Sequence, residues 1–164
     1  MSNSSSIKWK RAKFFFEAKL RVPVLGQIAA ISLDPEGDSA RAPSPAQLRA
    51  LDKFLALGPE QKAGWTHQVA LNCQYTCLRF EVDGIEPPLQ LRTREAVWKH
   101  VRLRQMFIPR HGSTRDRYVF VHGGCDWEEE HGLELLLKNE RLFRVGQQEG
   151  LAQNQEWSLY FINE

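Results

Sequence analysis

The stretch Ser44-Pro-Ala-Gln-Leu-Arg-Ala-Leu-Asp-Lys-Phe-Leu-Ala-Leu-Gly58 decides the fold, because it sets a helix in the middle of a chain whose two ends read as strands. Ser44 can cap the first turn, Pro45 suits the first helical position, and Gln47 stands three residues after Ser44 as a capping box requires. Leu48, Leu51, Phe54 or Leu55, and Leu57 then recur at helical spacing until Gly58 offers a stop. Pro59 opens a second helix reaching about Arg79, with Trp65, Val69 and Cys73 on one stripe and Leu71, Tyr75 and Leu78 beside it. Both helices are expected to pack on a sheet.

Upstream, Phe14, Phe16, Ala18 and Leu20 alternate with Phe15, Glu17, Lys19 and Arg21, the period of a half-buried strand. Gln27 to Leu33 follows the turn residues Pro23 and Gly26, which predicts a β-hairpin. Downstream, Thr93 to Lys99 reads as a short helix bringing Trp98 toward the core. Val101, Leu103 and Phe107 alternate with Arg102, Arg104 and Met106, and Tyr118 to His122 alternates again after the polar loop Pro109 to Asp116. Leu133 to Leu137 and Leu142 to Val145 flank a hairpin connection at Lys138 to Arg141, and Trp157 to Ile162 is a last strand or a docking tail. The expected fold class is α+β: an antiparallel sheet from the N-terminal hairpin and the C-terminal meander, covered on one face by the two helices between Pro45 and Arg79. Residues 1–6, rich in Ser, read as a disordered tail, and residues 7–164 as a single domain.

At 164 residues, with 42% hydrophobic and 26% charged side chains, the chain can bury roughly 68–70% of its unfolded surface without disulfide staples. No apolar run approaches the roughly 18 residues of a spanning helix, and Glu17, Lys19 and Arg21 interrupt any secretory apolar segment. The odd set Cys73, Cys77 and Cys125 fits a reducing compartment, so a cytoplasmic location and no membrane association are expected. A net charge of +2 hides segregation: six bases against one acid from Met1 to Arg21, eight against two from Arg92 to Arg117, then six acids against Lys138 alone from Asp126 to Glu140. Such a distribution can steer a charged partner, or it can be a surface whose patches neutralise each other.

The segment His122-Gly-Gly-Cys-Asp-Trp-Glu-Glu-Glu-His-Gly132 holds every residue type used in acid–base, thiol or metal chemistry. A catalytic Cys125 would need an electropositive setting, and it has Asp126 and three glutamates instead. His122, Cys125, Glu130 and His131 could ligate a metal, although no repeated Cys-x-x-Cys and no His-Glu-x-x-His accompanies them. The plainer reading has Gly123, Gly124 and Gly132 bending the backbone and Trp127 anchoring the loop. Cys73 and Cys77, four apart on a helix, read as a packed face. The basic stretch from Arg92 to Arg117 carries Trp98 and Phe107, yet its cations alternate with core residues and no recognition motif is present, which argues against nucleic acid. No cofactor is expected.

From Cys125-Asp126-Trp127-Glu128-Glu129-Glu130-His131-Gly132-Leu133, followed by Leu137-Lys138-Asn139 and Val145-Gly146, the chain resembles a bacterial domain family of unknown function. The family is marked by a Trp, acidic residues and Glu-His-Gly-Leu before a β-hairpin. Lys138-Asn139-Glu140 departs from its usual glycine-containing turn. The resemblance implies a small cytosolic protein, some members of the family standing as immunity proteins beside toxins, and it carries no activity to any residue. The functional expectation is therefore a non-enzymatic protein-binding module that occludes a partner, a basic toxin being one candidate, through Asp126, Trp127, Glu128, Glu129 and Glu130. The alternative is a small metal-binding enzyme built on the His122 to His131 segment. Oligomeric state is not legible.

Overall fold

The computed structural model describes residues 4–110 and 115–148. Strands β1 (Lys10–Arg11), β2 (Phe16–Val22) and β3 (Gln27–Leu33) precede helices α1 (Pro45–Leu55) and α2 (Pro59–Val82). A 3-10 segment, Arg94–His100, leads into β4 (Val101–Ile108), β5 (Tyr118–Cys125), β6 (Glu128–Lys138) and β7 (Arg141–Gly146). The strands lie side by side in chain order, and every neighbouring pair is antiparallel except β3 and β4. The protein is thus mixed α+β with a mostly antiparallel sheet.

The parallel pair is where the sheet departs from expectation, and its cause is the helical insertion. A chain leaving β3 and returning through α1 and α2 re-enters the sheet in the same direction, as any crossover connection does. Two glutamines close this seam. Gln27 accepts from Leu103 N–H at 2.8 Å and donates to Val101 O at 3.1 Å, completing the start of the β3–β4 edge. Gln47, fully buried, donates through Nε2 to Asp34 O at 2.6 Å and Pro109 O at 3.2 Å, just past the ends of both strands. The same side chain accepts from Ser44 N–H, and Ser44 Oγ accepts from Gln47 N–H, so the expected capping box forms and also pins the seam.

The sheet has two apolar faces. On the inner one, Ile31, Met106, Val121 and Leu135 share a core with Leu51 and Phe54 of α1 and with Trp65, Val69 and Cys73 of α2. On the outer one, Phe107, Tyr118, Phe120 and Leu136 form a second cluster, with Phe15 packed against it. A bulge between Leu103 and Gln105 shifts the parity of β4, so Met106 faces inward and Phe107 outward, opposite to the simple alternation read from the sequence.

Other boundaries also move. Phe14 lies before β2 and is 63% exposed. Gly58 does not end α1, which stops at Leu55; it is the N-cap of α2, its N–H donating to Gln61 Oε1 at 2.9 Å. The 3-10 segment does bring Trp98 against the core, half-buried and donating to Thr66 Oγ1 at 2.8 Å, and it also buries Val97 completely. At the start of the chain, Ser4–Ser6 form a 3-10 turn, and Ser4 is buried, donating to Asp52 Oδ1 and Leu48 O, where composition had suggested a free tail. The expected element at residues 157–162 lies outside the described residues. Among the described residues, no helix is long and apolar enough to cross a membrane.

Candidate functional site

The acidic segment occupies the β5–β6 hairpin, and its shape follows from glycine. Cys125 pairs with Glu128 across a two-residue turn, Asp126-Trp127, while the next pair toward the base is Gly123 with Leu133. Four residues, Glu129 to Gly132, therefore stand opposite Gly124 alone, and the strand must bow outward. Gly132 makes the bow possible: its φ is +70°, and a Cβ there would collide with the Gly123 carbonyl oxygen. Gly123 in turn has no room for a side chain, since its Cβ would sit 2.8 Å from Arg102 O. Glu129, Glu130 and His131 project from this bow and are exposed.

Trp127 points the other way. It is 1% exposed, lies in the inner core, and donates through Nε1 to Asn72 Oδ1 of α2 at 3.0 Å. This corrects the idea of an indole offered to a partner: Trp127 fixes the hairpin tip to α2. Asp126 ties the same tip to the start of β4, with Oδ2 2.8 Å from His100 Nδ1 and Oδ1 accepting from Arg102. Those two contacts hold its carboxyl below the ordinary value, against the opposing effect of burial. For Glu128, partial burial pushes the carboxyl up, but donation from His131 N–H at 3.2 Å and Gln147 Nε2 at 2.6 Å outweighs it and the net shift is downward.

The candidate metal ligands are separated. His122 belongs to the outer face, its ring against Phe120, whereas Cys125 is buried in the inner core and Glu130 and His131 face solvent. Among the described residues, no three His, Cys, Asp or Glu side chains are grouped to hold a metal ion. Burial raises the Cys125 thiol to about 11, only partly offset by its backbone hydrogen bonding at Glu128 and Trp127; the neighbouring Glu128 and Asp126 charges raise it further but count for less than burial. Cys73 is raised to about 12, first by burial and then by Cys77 and Cys125 nearby. All three cysteines are free and buried, a setting for packing rather than thiolate chemistry.

One polar group on the outer face was not anticipated. His122 Nε2 lies 2.9 Å from Glu134 Oε2, both side chains being 2% exposed, and Arg144 approaches Glu134 Oε1 at 3.7 Å. Gln148 Nε2 is 3.3 Å from His122 Nδ1. Register explains the meeting, since His122 and Glu134 are direct partners on β5 and β6. The signal was Glu134 itself, the only acid inside the apolar run Leu133 to Leu137, directly across a hairpin from the only His in β5. Such a buried, mutually satisfied pair specifies strand register.

These features define a mixed α+β protein with a mostly antiparallel seven-stranded sheet, carrying an acidic bow at one hairpin and a sealed polar pair beneath it. The chain belongs to the family described as Domain of unknown function (DUF6985), which matches residues 4–152. No curated protein and no solved structure matches it.

Proposed function

We propose that this chain is a non-enzymatic protein-binding module of the bacterial immunity type, acting in the cytoplasm, whose acidic bow covers the working surface of a basic toxin. The observation that carries the reading is the projection of Glu129 and Glu130 from a bow held rigid at both ends, by Gly132 against Gly123 and by Trp127 in the core. Placed this way, two unpaired-strand carboxylates form a fixed negative edge that accelerates encounter with a cationic surface. Asp126 and Glu128 stand behind them as positioning groups, each held ionised by its own donors. With the helices packed over the inner face of the sheet, the acidic edge lies on a stiff support, which lowers the ordering cost of binding.

The test is binding to the purified product of the adjacent gene, followed at low and high salt. The expected result is a complex whose association rate falls by about ten-fold or more in Glu129→Lys/Glu130→Lys and in high salt. Absence of a complex, or an association rate indifferent to both charge reversals, overturns the reading.

A further inference from the structure

We infer that residues 149–164 dock across the outer face of the sheet and are the cover that buries Leu136 and the His122–Glu134 pair. This does not depend on the acidic bow or on the function proposed for it.

A sheet with two apolar faces needs a layer on each. The inner face has α1 and α2. On the outer face Leu136 is completely buried, and His122 and Glu134 are each 2% exposed, within the single chain. Phe15 does not explain this. Its ring packs edge-on against Phe107 of β4 at 5.8 Å, whereas Leu136 lies on β6, two strands and about 10 Å further along. Flanking side chains on the same face shield a residue from its sides, but full burial takes atoms above it. Because the burial is that of one chain, those atoms belong to this chain and not to a partner.

Three segments lie outside the described residues, and their attachment points and chemistry separate them. Residues 1–3 join Ser4, which is bonded to Leu48 and Asp52 of α1, on the side of the sheet that the helices cover. Residues 111–114, His-Gly-Ser-Thr, are polar and belong to the β4–β5 connection, past Ile108 and Tyr118 and on the side of Leu136 away from Glu134. Residues 149–164 instead carry Leu151, Trp157, Leu159, Tyr160, Phe161 and Ile162, and they follow directly on Gln148. Gln148 Nε2 is 3.3 Å from His122 Nδ1. His122 is on β5, two strands in from β7, further than a glutamine side chain reaches, so the chain has already turned in over β6 at residue 148. Sixteen extended residues span up to about 50 Å and seven strands about 30 Å, so the segment is long enough to cross the whole face. The entry is polar, an amide answering an imidazole. Beyond it Phe107, Phe120 and Leu136 offer an aromatic and aliphatic floor of the kind Trp157, Leu159 and Phe161 can bury.

The full-length chain tests this. A nitroxide attached at Ser158→Cys, the native thiols being buried, should broaden the Leu136 methyl signals several-fold more than those of Leu78, which is exposed on α2 in the opposite layer. A coupling measurement gives the second readout. Leu136→Ala should lower the denaturation midpoint of the native chain, and its effect should fall to about half or less in Trp157→Ser/Leu159→Ser/Phe161→Ser, while Leu51→Ala in the inner core keeps its full effect. The nitroxide reading decides alone if the triple variant fails to fold. Equal broadening at Leu136 and Leu78 overturns the proposal, as does a Leu136→Ala shift undiminished in the triple variant. Broadening at Leu136 that disappears on dilution assigns the cover to a second copy and equally overturns it.

Discussion

The two hairpins that share β6 solve the same problem with opposite means. At the β5–β6 tip, Asp126-Trp127, the turn is fixed from inside, by an indole buried in the core and bonded to α2. At the β6–β7 tip, Asn139-Glu140, both residues have positive φ, 49° and 65°, the mirror-image two-residue turn that matches strand twist and favours Asn-Gly. Glu140 occupies the position where glycine is easiest, and the conformation is held from outside. Arg117 donates to both Glu140 carboxylate oxygens, at 2.6 and 2.8 Å, and its own N–H donates to Asn139 Oδ1 at 3.0 Å. Asn139 N–H returns a bond to Arg117 O, and its side chain donates to Asp116. A turn can therefore be specified either by packing or by a local polar clasp, and the two differ in what it takes to undo them.

Trp127→Ala should break the contrast most severely. It removes a large side chain from a packed core and orphans Asn72, a loss of roughly 3–5 kcal/mol, read as a lower denaturation midpoint with an unchanged slope.

A smaller effect is expected at Asp126, where the same tip also uses charge. Its folded value lies below the unfolded one, so its contribution is fully present above the ordinary carboxylate range and is lost as pH falls through the depressed folded value. The side chain is 38% exposed, so the contribution is screened and stays below about 1 kcal/mol. Asp126→Asn should flatten the acid side of the stability profile, and a profile identical to the native one would remove Asp126 from the account of the tip.

Glu140→Gly should change least. Glycine relieves a left-handed conformation costing roughly 1–2 kcal/mol, while the lost Arg117 pair offsets most of that gain, leaving a change within about 0.5 kcal/mol of zero. Thermal denaturation decides it, and a large loss would show that the clasp, not the backbone, dominates.

Local features were the legible ones. The capping box at Ser44 and Gln47 and the turn at Pro23 to Gly26 involve residues a few positions apart, and both stand where the sequence puts them. What sequence could not carry was any feature whose partner is remote. The sequence leaves Trp127 open to two readings, an anchor for its loop or a contact for a partner, and the remote Asn72 and the core behind it decide for the anchor. The bulge in β4 reverses the facing of Phe107 at the cost of one residue, which a period-two reading cannot detect. On α2, periodicity marked both Trp65-Val69-Cys73 and Leu71-Tyr75-Leu78 as apolar, but the hydrophobic pattern alone does not say which side meets the sheet. Glu134 was hidden by its leucine neighbours.

The parallel seam between β3 and β4 has a kinetic meaning as well. The hairpin β2–β3 and the meander β4–β7 are each closed by near neighbours and can form early, but Ile31 must find Met106 across both helices before the sheet is whole. Joining the halves is thus the step with the longest loop to close, and the natural place for a rate-limiting barrier. Gln47, which ties α1 to the ends of both strands, would then act late: its loss should speed unfolding far more than it slows refolding.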